Sequence, residues 1–160
     1  MRDDIVLSER IRPEILTAIS YCATRILGPT EDDQAKLDRV LSYLFFSRAH
    51  KMILRIGSEA SLNDFVDSSF GLYEDVKSVT GVAIRPDNAT IYVKSGKQKI
   101  VTRSSTEAEL VGILDALSQV LWTCENLISA GIIIGPVVVY QDNQPTIFLA
   151  TNGRSTSERN

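Results

Sequence analysis

One helical pattern, the longest in the chain, runs from Ser104 to Gly131 and delivers the backbone directly into a run of β-branched residues. This pairing constrains the fold more than any other feature. Leu110, Ile113, Leu114, Leu117, Val120, Leu121, Cys124, Leu127 and Ile128 recur at three- and four-residue spacing and fall on one broad apolar face. Ser104-Ser105-Thr106 opens the helix and Gly131 ends it. Val137-Val138-Val139-Tyr140 follows, an unbroken apolar run predicted to be a strand buried on both faces. A strand reached through a helix pairs parallel with a strand that came before it.

Three β-rich stretches do come before it. Leu62 to Phe70 reads as a strand ending in the turn-prone Asp67-Ser68-Ser69. Thr80 to Ile84 and Thr90 to Val93 are two more, separated by the hairpin-turn residues Pro86-Asp87-Asn88. Ile100-Val101 suggests a further strand end. After the last strand, Asn143 is suited to cap a short helix with Pro145 in its first turn. The order β-β-β-α-β-α predicts an α/β fold, a mixed β-sheet flanked by helices.

The first third is predicted to be a two-helix hairpin. Pro13 suits a helix start, and Ile15, Ile19, Cys22 and Ile26 share one face of a helix over 13–27 that Gly28-Pro29 stops. Thr30 and Asp33 form a capping-box pattern for a second helix over 31–47, with Leu37, Val40, Leu41, Leu44 and Phe45 on one stripe. Neither stripe is satisfied by the other alone, so the hairpin should pack on the sheet domain or on another copy.

The 160 residues give room for one ordinary domain with a short appendage. With 44% hydrophobic and 23% charged residues, the composition is globular rather than disordered. A net charge of −3 leaves nucleic-acid binding to local basic patches or metal ions. Cys22 and Cys124 stand apart among apolar residues and read as buried free thiols of a reducing compartment. One histidine, His50, excludes His-rich zinc sites and argues against a Ser/His/Asp triad. No Asp-Thr/Ser-Gly triplet supports an aspartic protease. No apolar run reaches the eighteen or so residues of a membrane span, and Met1-Arg2-Asp3-Asp4 is no signal peptide, so no membrane partner is expected.

Three carboxylates stand out by position. Asp67 lies in or at the end of a strand, where aspartate is depleted; Glu109 lies in the first turn of the long helix; Asp142 follows the β-branched strand. In a mixed sheet of this order those three places can come together, where three carboxylates would repel strongly unless cations neutralised them, and hard ions such as Mg²⁺ or Mn²⁺ suit such oxygens. Each has an ordinary alternative. Thr106-x-x-Glu109 is itself a capping box, Asp142 suits the N-terminus of the next helix, and Asp67 suits a turn. Lys94, Lys97, Lys99 and Arg103 lie close together between the third strand and the long helix; they read either as phosphate contacts or as a solvated basic loop. Trp122 is expected in the core.

Specific motifs carry a family resemblance. Ser104-Ser105-Thr106-Glu107-Ala108-Glu109-Leu110 resembles the SSTEAEY motif of copia-type LTR-retrotransposon ribonuclease H domains. Asp67 to Phe70 is similar to their DADWAG strand, with Phe in place of Trp, and Lys77 to Gly81 to KSTSGY. Lys94 to Thr102 resembles WSSKKQKTVA, and Tyr140-Gln141-Asp142-Asn143-Gln144 resembles IYCDNQSA. Upstream, Arg12-Pro13-Glu14-Ile15, Pro29-Thr30 and Leu37 to Leu44 resemble the RPDI…NPT…ALKRVLRYL segment that links reverse transcriptase to ribonuclease H. The match runs in register from about residue 11 onward.

The resemblance implies a ribonuclease H-like domain over 61–160, C-terminally truncated, behind a helical linking segment over 1–60 that ends a reverse transcriptase. It implies Asp67, Glu109 and Asp142 as catalytic residues holding two Mg²⁺ or Mn²⁺ ions, with Glu109 rather than Glu107 at the family's helix position. Lys94, Lys97, Lys99, Arg103, Ser105, Thr106 and Asn143 become substrate-binding candidates. The implied activity is hydrolysis of the RNA strand of RNA–DNA hybrids. The implied partners are reverse transcriptase and other parts of a retroelement polyprotein, in cytoplasmic virus-like particles or the nucleus. One departure is serious: the family's fourth acid, in an RTKHID-like segment about twenty residues beyond Asp142, is missing, and Glu158 has the wrong spacing to replace it. The alternative is a non-catalytic, domesticated or degenerate module that keeps the fold as a scaffold.

Overall fold

The computed structural model describes residues 2–73 and 75–153. Arg154 to Asn160, where Glu158 falls, lie outside the described residues. The elements are α1 (Arg2–Arg10), a 3₁₀ turn (Pro13–Ile15), α2 (Leu16–Thr24), α3 (Glu31–Phe46), β1 (Glu59–Ser69), β2 (Val79–Pro86), β3 (Tyr92–Lys97), α4 (Ser105–Ser129), β4 (Ile133–Tyr140) and α5 (Gln144–Asn152). The sheet order is β3-β2-β1-β4, with β1, β2 and β3 antiparallel and β4 parallel to β1. This is a mixed α/β fold, a four-stranded mixed sheet flanked by helices, as the element order predicts and compatible with a ribonuclease H-like fold. Among the described residues no helix is long and apolar enough to cross a membrane.

The core lies between α4 and one face of the sheet. Leu62 and Val66 of β1 and Val82 and Ile84 of β2 meet Ala116 and Val120 of α4. The contact is closer than the apolar face of α4 suggests, because the helix docks through small residues. Ala108, Gly112, Ala116, Val120 and Thr123 are among its buried positions, whereas Leu114, Leu117, Leu121 and Ile128 are exposed. Trp122 is 59% exposed rather than core. Periodicity identifies the helix but cannot rank two adjacent apolar stripes, and here the narrower stripe wins because it lets the backbones approach. A Cβ added at Gly112 would lie 2.6 Å from Ser68 Oγ, with Val66 and Thr80 at 3.2 and 3.3 Å.

β4 departs furthest from expectation. It is an edge strand, and Val137, Val138, Val139 and Tyr140 are 39–47% exposed rather than buried on both faces. A β-branched run looks the same in sequence whether or not neighbours cover it. Ile100-Val101 is not a strand but an irregular link to α4. Ser68 and Ser69, read as turn residues, remain in the ladder opposite Thr80 and Val79. The β2–β3 turn is where Pro86-Asp87-Asn88 puts it: Asp87 takes φ +49°, and its carboxylate accepts the Ser61 N–H at 3.1 Å.

The leading helices form the expected hairpin. Ile15, Ile19 and Val40 make a second small core with Leu37 and Leu44, and the Thr30–Asp33 capping box is present. α2 ends at Thr24, three residues before the predicted boundary, in a turn closed by Arg25 and Gly28 N–H groups. It lies against β3, where Ser20 Oγ donates to the Ser95 carbonyl at 3.1 Å. α3 packs mainly on α2, leaving Phe45 and Phe46 exposed. α1, unassigned by the sequence pattern, packs beside α2 and β3. Cys22 is buried and Cys124 partly so, both as free thiols.

Candidate metal centre

The sheet topology brings Asp67, Glu109 and Asp142 to one place. Asp67 sits on β1 opposite Gly81, Glu109 in the first turns of α4, and Asp142 two residues past β4. One oxygen from each lies within 4.8 Å of the others. Because β4 runs parallel to β1, with Phe65 paired to Tyr140, the residues two steps further on stay side by side. α4, pressed onto β1 at Gly112, carries Glu109 in from above.

The capping-box reading of Glu109 and the turn reading of Asp67 do not hold, while Asp142 stays next to the N-terminus of α5. The N-cap of α4 is Ser104, whose Oγ accepts the Glu107 N–H, and Glu107 accepts the Arg103 N–H at 2.6 Å. Glu107 is therefore the capping residue, two positions ahead of the predicted Thr106–Glu109 box, and Glu109 is left for the cluster. Asn143, not Asp142, caps α5 by accepting the Thr146 N–H at 3.0 Å. Asp67 is a ladder residue rather than a turn residue.

Asp67 and Asp142 are exposed while Glu109 is buried. Burial is the main force raising the Glu109 pKa; Asp67 and Asp142 add to it, and hydrogen bonds from Gln141 and from the Ser68 backbone oppose it. Three carboxylate oxygens in this arrangement suit a hard cation. Two ligands of one octahedral Mg²⁺ lie about 3–4 Å apart, so small side-chain rotations close the set around one ion or across two. A groove of about 790 Å³ opens beside Asp67 and Asp142, with Phe65 stacked on Tyr140 at 4.6 Å along its wall.

The substrate-binding candidates divide. Lys97 is paired to Asp75 at 2.7 Å and lies over the Tyr73 ring. Lys94 stands 4.0 Å from Asp115. Lys99 and Arg103 are exposed in the link before α4, and Ser105 is exposed at its first residue. Thr106 lends its carbonyl to Thr146 Oγ1 at 3.3 Å, tying α4 to α5. The Asn143 side chain is occupied in its cap. Gln141 enters the sequence reading only as a neighbour of Asp142 in the IYCDNQSA-like stretch and is given no role there, since nothing in its position shows that the fold places it beside Glu109.

Two retrovirus-related Pol polyproteins of Arabidopsis thaliana, from transposons RE1 and RE2, are each 34% identical over 143 residues, covering 88% of this chain. The chain is homologous to a stretch of retrotransposon Pol. A third relative, the Pol polyprotein of transposon TNT 1-94 from Nicotiana tabacum, is 27% identical over 142 residues. The chain spans 10–11% of the length of these relatives. No family model matches the chain, and no solved structure matches it.

Proposed function

We propose that this retroelement-derived chain is a ribonuclease H-type endonuclease that hydrolyses the RNA strand of RNA–DNA hybrids. The observation that carries the reading is the convergence of Asp67, Glu109 and Asp142 to within 4.8 Å. The homology to Pol and the motif resemblance support it. Asp67 and Asp142, exposed beside the groove, would hold two Mg²⁺ or Mn²⁺ ions, and Glu109 would complete one of them from the buried side. Such ions, when bound, activate water and stabilise the leaving oxygen in phosphodiester hydrolysis. Lys99 and Arg103 would lean on backbone phosphates, contacts that position a duplex without reading its sequence. Reverse transcriptase is the natural partner for the face of α3 that carries Phe45 and Phe46.

The test is cleavage of a labelled RNA–DNA hybrid in Mg²⁺ or Mn²⁺, with Asp67→Asn as control. Metal-dependent cleavage abolished by Asp67→Asn is the expected result. A second reading, a non-catalytic module that keeps the fold as a scaffold, is favoured by the pairing of Lys97 and Lys94 to acids, which withdraws charge from a phosphate backbone. No cleavage in either metal, with the fold intact, selects that reading.

A further inference from the structure

We infer that Gln141 is the positioning residue of this centre. The inference rests on the metal-centre reading above and concerns how this chain holds the cluster together. A single side-chain amide touches all three segments that carry the acids. Its Nε2 donates to Glu109 Oε2 on α4 at 3.0 Å and reaches the Val66 carbonyl, next to Asp67 on β1, at 3.5 Å. Its Oε1 accepts the N–H of Asn143, next to Asp142, at 2.9 Å.

The chemistry suits the task. A carboxylate facing two others needs a donor to fix its rotamer, and a lysine or arginine there would compete with the cation for the same oxygens. A neutral amide supplies the hydrogen bond without the competing charge. Its engagement of Oε2 sets the plane of the Glu109 carboxylate and leaves the other oxygen available to an ion. The second end of the amide holds the backbone from which Asp142 projects. Outer hydrogen bonds of this kind typically govern metal affinity by about 10–100-fold.

The test measures Mn²⁺ binding directly, by electron paramagnetic resonance of free Mn²⁺ titrated with the full chain. The parent, Gln141→Met, Glu109→Gln and the double variant are compared. Gln141→Met should weaken binding by about 10–100-fold in the parent background and cause little further loss when Glu109 is already Gln. Equal affinity for the parent and Gln141→Met overturns the inference alone, as does an equal loss in both backgrounds, which would mean Gln141 acts through the fold. A parent that binds no Mn²⁺ overturns the metal-centre reading and the inference with it. If Gln141→Met fails to fold in metal-free buffer, the Gln141 side-chain amide resonances decide. They should move when Glu109 becomes Gln, and resonances that stay fixed overturn the inference.

Discussion

Asp64 sits on β1 between Ile84 and Val139, on the face that packs against α4, and is 1% exposed. Its Oδ1 has no hydrogen-bond partner, and burial alone pushes its pKa from 3.8 up to about 6. Replacing it with the near-isosteric Asn removes the charge and keeps the shape. The folded protein holds the Asp64 proton more tightly than the unfolded chain, so stability falls as pH rises from about 4 through 6 and is level above 7. Ionising a carboxyl so raised destabilises the fold by about 3 kcal/mol at pH 8, at about 1.4 kcal/mol for each tenfold weakening of its acidity. At pH 4 the folded carboxyl keeps its proton, and only about half a kcal/mol of that destabilisation is present. Urea unfolding of parent and Asp64→Asn in EDTA measures both ends, and subtracting the parent at each pH cancels the other titrating groups. The variant should be more stable by about 3 kcal/mol at pH 8, with the advantage nearly gone at pH 4. A difference that stays flat with pH, or a variant weaker than the parent at pH 8, would refute the placement of an ionised carboxylate in the core.

Gly112→Ala should cost about 1–3 kcal/mol by overpacking against Ser68 and Val66, outweighing the gain in helix propensity of about 1 kcal/mol; a raised urea midpoint would contradict the close approach. Millimolar Mn²⁺ should raise the melting temperature of the parent, by up to about 2.7 kcal/mol of stability when free metal is a hundredfold above its dissociation constant. Asp142→Asn should lose that response and be the more stable protein in EDTA, because it relieves repulsion in the cluster; a variant that responds like the parent argues against the site. In hybrid binding, Lys99→Ala and Arg103→Ala should each flatten the dependence of affinity on salt more than Lys97→Ala does, since Lys97 already pairs with Asp75. Equal slopes for all three would mean that the ion pair opens on binding.

What the sequence reveals is local pattern, and it is read well where pattern and environment coincide. Thr30–Asp33 and Asn143–Pro145 place helix starts because a cap is a contact between neighbours in sequence. The parallel return of β4 follows because a helix between strands dictates it. Environment is where the reading fails. The Val137–Tyr140 run looks buried on both faces yet is half-exposed at an edge, and Leu114, Leu117 and Leu121 look buried beside a stripe of small residues that is buried instead. The three acids stand out through strand chemistry and motif, but the capping reading of Glu109 falls only once Ser104 is seen to cap α4, and the turn reading of Asp67 only once it is seen in the ladder. The roles of Asp64 and Gln141 are not legible in the sequence, since a buried acid and a bridging amide are defined by what lies across space.

The parallel pairing of β1 with β4 also fixes when the cluster can exist during folding. Asp67 is in place as soon as the β1–β2 hairpin closes, a local event that needs no distant part of the chain. Glu109 and Asp142 join only after α4 has docked and β4 has returned to the far side of β1, which closes the longest loop in the sheet at the largest ordering cost. The three acids therefore come together only once both α4 and β4 are in place on β1. A divalent ion that binds the finished cluster favours only that final closure, so metal should slow unfolding while leaving the folding rate almost unchanged.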